Sequence, residues 1–84
     1  MQNSLIPFSP KAARDMIIEA LVEGPLEVSE LRAKVKLLAK AGSYADANDY
    51  QIKKALVDLK KLNAIKHPRK SWWAPLTWGN PQLD

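Results

Sequence analysis

The stretch that decides the fold is 48–65, NDYQIKKALVDLKKLNAI. At about 100° per residue, one set of apolar residues falls on a single side of a helix. These residues are Ile52, Ala55, Leu56, Leu59 and Leu62. A second set lies nearly opposite at spacings i, i+4, i+7 and i+11, which we call the outward ridge. The outward ridge consists of Tyr50, Lys54, Val57 and Lys61. The pattern predicts a third helix that buries one face and exposes the other.

Both ends of this helix carry termination signals. Asn48 is a suitable N-cap, and Gln51 stands three residues later, where a capping box places Glu or Gln. Asp49 in the first turn and the lysines of the last turn suit the helix dipole. Asn63 tolerates the left-handed conformation that ends many helices. The sequence therefore predicts helical bounds of about 48 to 62.

Two further helices are predicted upstream. Ser9-Pro10 supplies an N-cap and a first helical residue, and the helix is expected to run to about Glu23, ended by Gly24-Pro25. Ser29 is expected to cap a second helix from about 30 to 41, closed by Gly42. Their apolar stripes predict the rest of the core. The stripe residues are Ala13, Met16, Ile17, Ala20, Leu21, Leu31, Val35, Leu38 and Ala39.

The remaining elements are short strands. Strand candidates at 65–67 and 72–74, with the second extending as far as Trp78, flank the basic turn 68–71 and predict a β-hairpin. Pro75 should sit at an edge, a bulge or a strand end. Two strands are not stable alone, so the hairpin should pack on the helices through Trp72 or Trp73 and Leu76. Residues 26–28 are a candidate third strand.

A chain of 84 residues predicts one domain. We expect an N-terminal arm at 1–8, a folded unit at 9–78 and a flexible tail at 79–84. The arm carries Leu5, Ile6 and Phe8, which either fold back over the core or pair with a partner chain. Ile18 and Val22 lie off the main stripe of the first helix, which makes a homodimer one alternative for the oligomeric state.

Composition narrows the function classes. There is no cysteine, which excludes disulfides and thiol catalysis. The sequence has no apolar run of about 18 residues and no secretory signal at its start, so an intracellular location, cytoplasmic or nucleoid-associated, is expected. Its single histidine, His67, has no second metal ligand or nucleophile in a recognisable context. We therefore expect no enzyme activity, no metal and no small-molecule cofactor.

The net charge is +4, and the charged residues are unevenly distributed along the chain. Residues 1–31 contain two basic and five acidic side chains, whereas residues 53–70 contain seven basic ones and only Asp58 against them. The seven are Lys53, Lys54, Lys60, Lys61, Lys66, Arg69 and Lys70. Solubility needs charge but not this segregation, which favours a polyanionic partner.

Taken in order, these segments resemble the winged helix-turn-helix superfamily of DNA-binding domains. EVSELRAKV (27–35) resembles the family's second helix, and DYQIKKALVDLKKLNAI (49–65) resembles its recognition helix. IKHPRKSWW (65–73) and WAPLTWGN (73–80) resemble the wing and its closing strand. The resemblance implies an α+β fold, a three-helix winged helix with a C-terminal two- to three-stranded β-hairpin or wing.

The resemblance also implies a function. In its members the recognition helix lies in the major groove of double-stranded DNA and the wing contacts the backbone. The resemblance thus implies that the helix at 48–62 enters the major groove and the wing at 67–71 contacts the backbone, which suits a small transcriptional regulator. By position, the base-reading candidates are Asn48, Tyr50, Gln51, Lys54 and Val57. The backbone and wing candidates are Lys53, Lys60, Lys61, Lys66, His67, Arg69 and Lys70.

Two alternatives use the same fold differently. A winged helix can serve as a protein–protein interaction module in a larger complex, although apolar or acidic ridges would then be expected in place of lysines. The adjacent Trp72 and Trp73 face opposite sides of a strand, so one should be core and the other could stack on a base of RNA or of single-stranded DNA.

Overall fold

The computed structural model describes residues 5–45 and 47–76, which form three helices and a three-stranded antiparallel sheet. The elements, in chain order, are α1 (Pro10–Ala20), β1 (Leu26–Glu27), α2 (Val28–Ala41), α3 (Asp49–Lys61), β2 (Ile65–Arg69) and β3 (Trp72–Pro75). The predicted α+β class is confirmed, as are the three helices, the hairpin and the third strand.

Helix α3 begins and ends as the sequence predicts. The Asn48 side chain accepts the backbone N–H of Gln51 at 2.8 Å. At the other end Asn63 is left-handed, with φ of 58°. The N–H of Ala64 donates to the carbonyl of Leu59 at 2.9 Å, which completes a Schellman motif.

One expected core residue of α3 is not buried. Leu62 is the C-terminal cap and remains 69% exposed. It lies at the helix end, where the chain turns toward β2 at Asn63, and not over the core. The helical spacing correctly places Ile52, Ala55, Leu56 and Leu59 in the core, since all are buried.

Helix α1 begins as predicted but ends early. Ser9 Oγ accepts the N–H of Ala12 at 3.1 Å, and Pro10 is the first helical residue. The expectation that α1 reaches Glu23 is wrong, because Leu21 is already the cap and residues 21–23 form a turn. The turn leads into Gly24, whose φ of 137° suits glycine.

The cap of α2 is Glu27, so the expectation for Ser29 is wrong. A Glu27 carboxylate oxygen accepts the N–H of Ser29 at 3.1 Å, and Glu30 accepts the N–H of Glu27 at 3.4 Å, which forms a reciprocal capping box. The Ser29 hydroxyl also donates to Glu27. These bonds from the Ser29 side chain and backbone lower the pKa of the Glu27 carboxyl. Helix α2 therefore begins at Val28, which the sequence assigned to the strand candidate 26–28.

Strand β3 lies between β1 and β2. Leu26 pairs with Trp73, and Ile65 pairs with Pro75 at the last position of β3, one of the places expected for that proline. The register shifts between Lys66 and Arg69, so that two residues of β2 face one residue of β3. Pro68 lies in this bulge, inside β2 and not in the predicted turn, where its missing N–H interrupts no regular pairing.

The core lies between the three helices and one face of the sheet. Trp73 is 9% exposed and belongs to it, whereas Trp72 is only half-buried, so one of the two adjacent tryptophans is core as predicted. Leu76 was expected to pack on the helices but is 51% exposed, because it follows the last paired residue of β3. Trp78 and the tail at 79–84 lie outside the described residues.

The described part of the N-terminal arm folds back on its own chain. Ile6 donates to the carbonyl of Ser43 at 2.9 Å and accepts from the N–H of Ala45 at 2.7 Å. Phe8 is buried and meets the ring of Tyr44 edge-on, with centroids 6.5 Å apart. The first of the two alternatives for the arm is thus observed for Phe8, whereas the side chains of Leu5 and Ile6 stay exposed. Within the described ranges, no helix is long and apolar enough to cross a membrane.

Candidate nucleic-acid interface

A groove of about 450 Å³ separates the first half of α3 from the β2–β3 hairpin, and we call it the hairpin groove. Leu56 and Trp73 are its buried residues, while Tyr50 is 74% exposed and Val57 is 41% exposed. The start of α2 closes one side, because Val28 donates its N–H to the carbonyl of Ser71 at 2.7 Å. The lining residues are Val28, Arg32, Asp49, Tyr50, Lys53, Leu56, Val57, His67, Ser71 and Trp73.

The outward ridge of α3 divides between two sides. Tyr50 and Val57 line the hairpin groove together with Lys53. Lys61 instead lines a separate hollow with Arg14 of α1. Lys54 is exposed and lines neither of these openings, and it is rotated by about 40° from Tyr50 in the direction away from Lys53. The predicted ridge is therefore exposed, but only part of it faces the hairpin.

His67 is held in a defined orientation on the hairpin. Its ring lies nearly parallel to the indole of Trp73, with centroids 4.1 Å apart and planes at 15°. Nδ1 is 2.6 Å from the backbone carbonyl of Trp72. A carbonyl only accepts, so Nδ1 carries the hydrogen of this bond. Nε2 is thus an acceptor in the neutral ring and a second donor in the protonated ring.

The first turn of α3 carries a compensated negative charge. An Asp49 carboxylate oxygen is 2.8 Å from Lys36 Nζ and its other oxygen is 3.9 Å from the Arg32 guanidinium. The hydrogen bond from Lys36 is the main cause of the lowered pKa of Asp49, and the charges of Lys36 and Arg32 add to it. This contact ties α3 to α2 and leaves Arg32, 39% exposed, at the edge of the hairpin groove.

Two base-reading candidates use their amides inside the chain. Gln51 donates through Nε2 to the carbonyl of Phe8 at 3.0 Å and accepts the Asn48 side-chain amide at 3.1 Å. Asn48 also accepts the backbone N–H of Gln51. Bidentate pairing with adenine needs both the donor and the acceptor of one amide. The base-reading candidates that make none of these contacts are Tyr50, Lys54 and Val57, and all three are exposed.

The hairpin presents its basic residues on two sides. Arg69 pairs with Trp72, and Lys66 pairs with Ala74, whereas Trp73 faces the groove. Paired residues share a face, and successive residues alternate. The register thus places Arg69 and Lys66 on the face away from the hairpin groove. Lys70 is exposed in the turn between β2 and β3.

Two further basic candidates lie on α3. Lys53 and Lys60 are exposed on the side of this helix that faces the hairpin.

Three groove residues outside α3 were given no functional role by the sequence. Arg32 and Val28 come from the start of α2, and Ser71 comes from the hairpin turn. They meet because β1 pairs with β3, which brings the α2 start to the hairpin. The glutamates at 27 and 30, at the spacing of a capping box, could have indicated the earlier α2 start. No local signal gives the partner with which β1 pairs.

Comparisons of the chain with family models, curated proteins and solved structures find no match. Among residues 5–45 and 47–76, no group of three or more His, Asp or Glu side chains is arranged to hold a metal ion.

Proposed function

We propose that this chain is a winged helix that binds double-stranded DNA without catalysing a reaction, as a small transcriptional regulator. Helix α3 enters the major groove, and the hairpin rests on the neighbouring backbone. The observation that carries the proposal is the hairpin groove, in which residues of α3 and the hairpin share one opening. Lys53, Arg32 and His67 all stand at its edge.

The exposed residues of α3 suit base edges. Lys54 can reach the acceptors of guanine, and Val57 can contact a thymine methyl group. Tyr50, near the N-terminal end of the helix and 74% exposed, is the remaining candidate, in the part of the helix that helix-turn-helix proteins use for base contacts. These three residues would supply sequence preference.

Phosphate contacts fall to the residues beside the groove. Lys53 and Lys60 lie on the hairpin side of α3, and the Nε2 atom of His67 is free of the bond that holds Nδ1. Such contacts fix the orientation of the protein without reading sequence. The seven basic residues at 53–70 add a positive field that accelerates encounter with a polyanion.

The test is a fluorescence-anisotropy titration of labelled duplexes at several salt concentrations. Counterion release predicts a log–log slope of about −0.9 per phosphate contacted, and a slope matching fewer than about three phosphates would count against the proposal. Lys53→Gln should reduce both affinity and slope. Lys40→Gln, at the exposed C-terminal end of α2, is the matched control and should change neither.

A second function is favoured by the apolar interior of the hairpin groove. Leu56, Val57 and Trp73 could receive an apolar side chain of a protein partner, with Asp49 at the edge. In that case Val57→Asp would abolish the partner's binding, whereas duplex affinity would be weak and unaffected by Lys53→Gln. Single-stranded oligonucleotides in the same titration test the third alternative, in which Trp72 stacks on a base.

A further inference from the structure

Two contacts fix the imidazole ring of His67 beside the hairpin groove. Nδ1 is 2.6 Å from the backbone carbonyl of Trp72, and the ring centroid is 4.1 Å from that of the Trp73 indole. The residue is exposed and lines the groove together with Lys53 of α3 and Arg32 of α2. Neither contact uses Nε2, the ring nitrogen farther from Cβ, so both leave this atom available to a ligand in the groove.

The carbonyl contact also decides which tautomer the neutral ring of His67 adopts. A neutral imidazole carries one N–H, and a carbonyl oxygen accepts but does not donate, so that hydrogen lies on Nδ1. Nε2 then presents a lone pair. Because the oxygens of a DNA phosphate also present only lone pairs, the neutral ring forms no hydrogen bond to a phosphate through Nε2. Protonation adds the second N–H, and Nε2 becomes a charged donor.

The stack on Trp73 suits both protonation states of His67. An indole face attracts a cation within about 6 Å of its centroid, and the imidazole centroid lies well inside that distance. The bond to the Trp72 carbonyl also persists, because Nδ1 carries its hydrogen in either state. Protonation therefore changes the charge of the ring and the role of Nε2 without removing the contacts that orient the ring.

The other charged or titratable groups that share the groove or the hairpin with His67 are mostly cations. They are Arg32, Asp49, Tyr50 and Lys53 in the groove, and Lys66, Arg69 and Lys70 on the hairpin. Asp49 is the anion of this set, and its carboxylate is paired with Lys36 at 2.8 Å. The hydrogen bond from Lys36 lowers the pKa of Asp49, so its charge is constant in the range where histidines titrate. A DNA phosphate in the groove would bring a further negative charge, which favours the protonated ring.

We propose that His67 binds a DNA phosphate through Nε2 only as the imidazolium, so that the protein takes up a proton when it binds a duplex. This inference rests on the proposed function and adds its regulation by pH. Affinity should rise as the pH falls from about 8 to about 5.5, within the range over which histidines change charge. Because a phosphate contact does not read bases, the pH effect should be equal for preferred and random duplexes.

Fluorescence-anisotropy titration of the full chain with a labelled duplex, at about pH 5.5 and about pH 8 and at several salt concentrations, tests the proposal. The duplex carries no terminal phosphate, since a phosphate monoester itself titrates near pH 6. Affinity should be about tenfold higher at the lower pH, as expected for one hydrogen bond from a charged donor. The log–log salt slope should also be steeper there by about 0.9, because one more phosphate is neutralised.

Two substitutions separate the charge of His67 from its position. His67→Gln is neutral at both pH values, so its affinity should not change between them. His67→Arg carries a permanent planar cation that also stacks on aromatic rings, so its affinity at the higher pH should come within about threefold of the parent's at the lower pH. The α-amino group titrates in the same range but is common to all three chains, and His67 is the single histidine. Circular dichroism verifies that each chain is folded at both pH values.

Equal affinity of the parent chain at the two pH values would overturn the proton-dependent contact. So would a pH effect of the same size in His67→Gln, a pH effect retained by His67→Arg, or a salt slope that does not change with pH. In each of these cases salt-dependent binding of the duplex would still support the proposed function. Absence of duplex binding at both pH values would overturn the contact and the proposed function together, so the two failures are distinguishable.

Discussion

The imidazole of His67 lies parallel to the indole of Trp73, with ring centroids 4.1 Å apart. The two residues are six positions apart in sequence and belong to the two strands of the hairpin. The stack covers the buried tryptophan on the groove side and holds the histidine at the groove edge. Packing of the core and the geometry of the candidate interface therefore depend on the same contact.

Loss of the contact between His67 and Trp73 should affect both the stability of the fold and the environment of Trp73. His67→Ala removes an aromatic stack and the bond to the Trp72 carbonyl, so the free energy of unfolding should fall by about 1–2 kcal/mol. Urea unfolding measures the fall, and the tryptophan emission of the folded variant should shift to longer wavelength. Arg69→Ala, on the other face of the hairpin, is the control and should leave the emission unchanged.

The attachment of the N-terminal arm to the fold should depend on the side-chain N–H donor of Gln51. Gln51→Glu preserves size and the acceptor for Asn48 but removes the donor that reaches the Phe8 carbonyl, which should cost about 1–2 kcal/mol of stability. Amide exchange at Ile6 and Ala45, which hold the arm, should accelerate. Asn48→Asp is the matched control, because it also replaces an amide by a carboxylate at the start of α3 yet keeps the cap acceptor. Equal exchange rates in both variants would contradict the role of Gln51.

Low pH should weaken the contacts that the Glu27 and Asp49 carboxylates make with α2. The pKa of Glu27 is lowered from 4.5 by hydrogen bonds from Ser29, and that of Asp49 from 3.8 by the hydrogen bond from Lys36. Because the folded pKa values lie below the unfolded ones, this stabilisation is complete above about pH 5. It is lost as pH falls through the unfolded and then the folded values.

Urea unfolding between pH 7 and pH 3 measures the effect. Glu27→Gln and Asp49→Asn should each flatten the decline in stability below pH 5. Glu19→Gln, on an exposed position of α1, should leave the decline in place. A decline that is as steep in Glu27→Gln and Asp49→Asn as in the parent chain would assign the acid sensitivity to other carboxylates.

Two apolar residues that the helical spacing placed on the same face of α3 should differ in how much their substitution destabilises the fold. Ile52 is fully buried, so Ile52→Ala should cost about 2–5 kcal/mol. Leu62 is 69% exposed, so Leu62→Ala should cost less than about 0.5 kcal/mol. Chemical denaturation of the two variants under one condition gives the comparison. A large loss in Leu62→Ala would mean that this side chain is covered in solution.

The roles proposed for Lys54 and Lys53 predict different DNA phenotypes. Lys54→Ala should reduce the discrimination between preferred and random duplexes by about 1–3 kcal/mol. Lys53→Ala should weaken all duplexes alike, as loss of a phosphate contact does. Competitive titration of selected and random duplexes distinguishes the two. Uniform weakening by both substitutions would remove α3 as the reader of sequence.

Local signals predicted the helix ends well where one residue decides the outcome. Asn48 caps α3, Ser9 caps α1, and Asn63 adopts the left-handed conformation, because each needs only its nearest backbone neighbours. Ser29 failed as a cap because Glu27, two residues earlier, offers a charged acceptor to the same turn. Such competition between adjacent caps depends on where the preceding strand ends.

The candidate interface was less predictable than the helices. Helical spacing showed that Tyr50, Val57 and Lys54 face outward, but not which of them faces the hairpin. That division follows from the placement of β2 and β3 against α3. The amide of Gln51 was free in the sequence pattern and is engaged in the fold, because the arm returns from 43 residues upstream.

By itself, the sequence determined the kind and order of the elements, the faces of the helices and the concentration of positive charge at 53–70. These properties depend on residue spacing and on caps within one turn. Only the tertiary structure decided that His67 stacks on Trp73, that α2 borders the hairpin groove and that Ile18, Val22 and Leu76 form one patch. Those relations join distant segments, and the packing that brings the segments together minimises exposed apolar area over the whole chain.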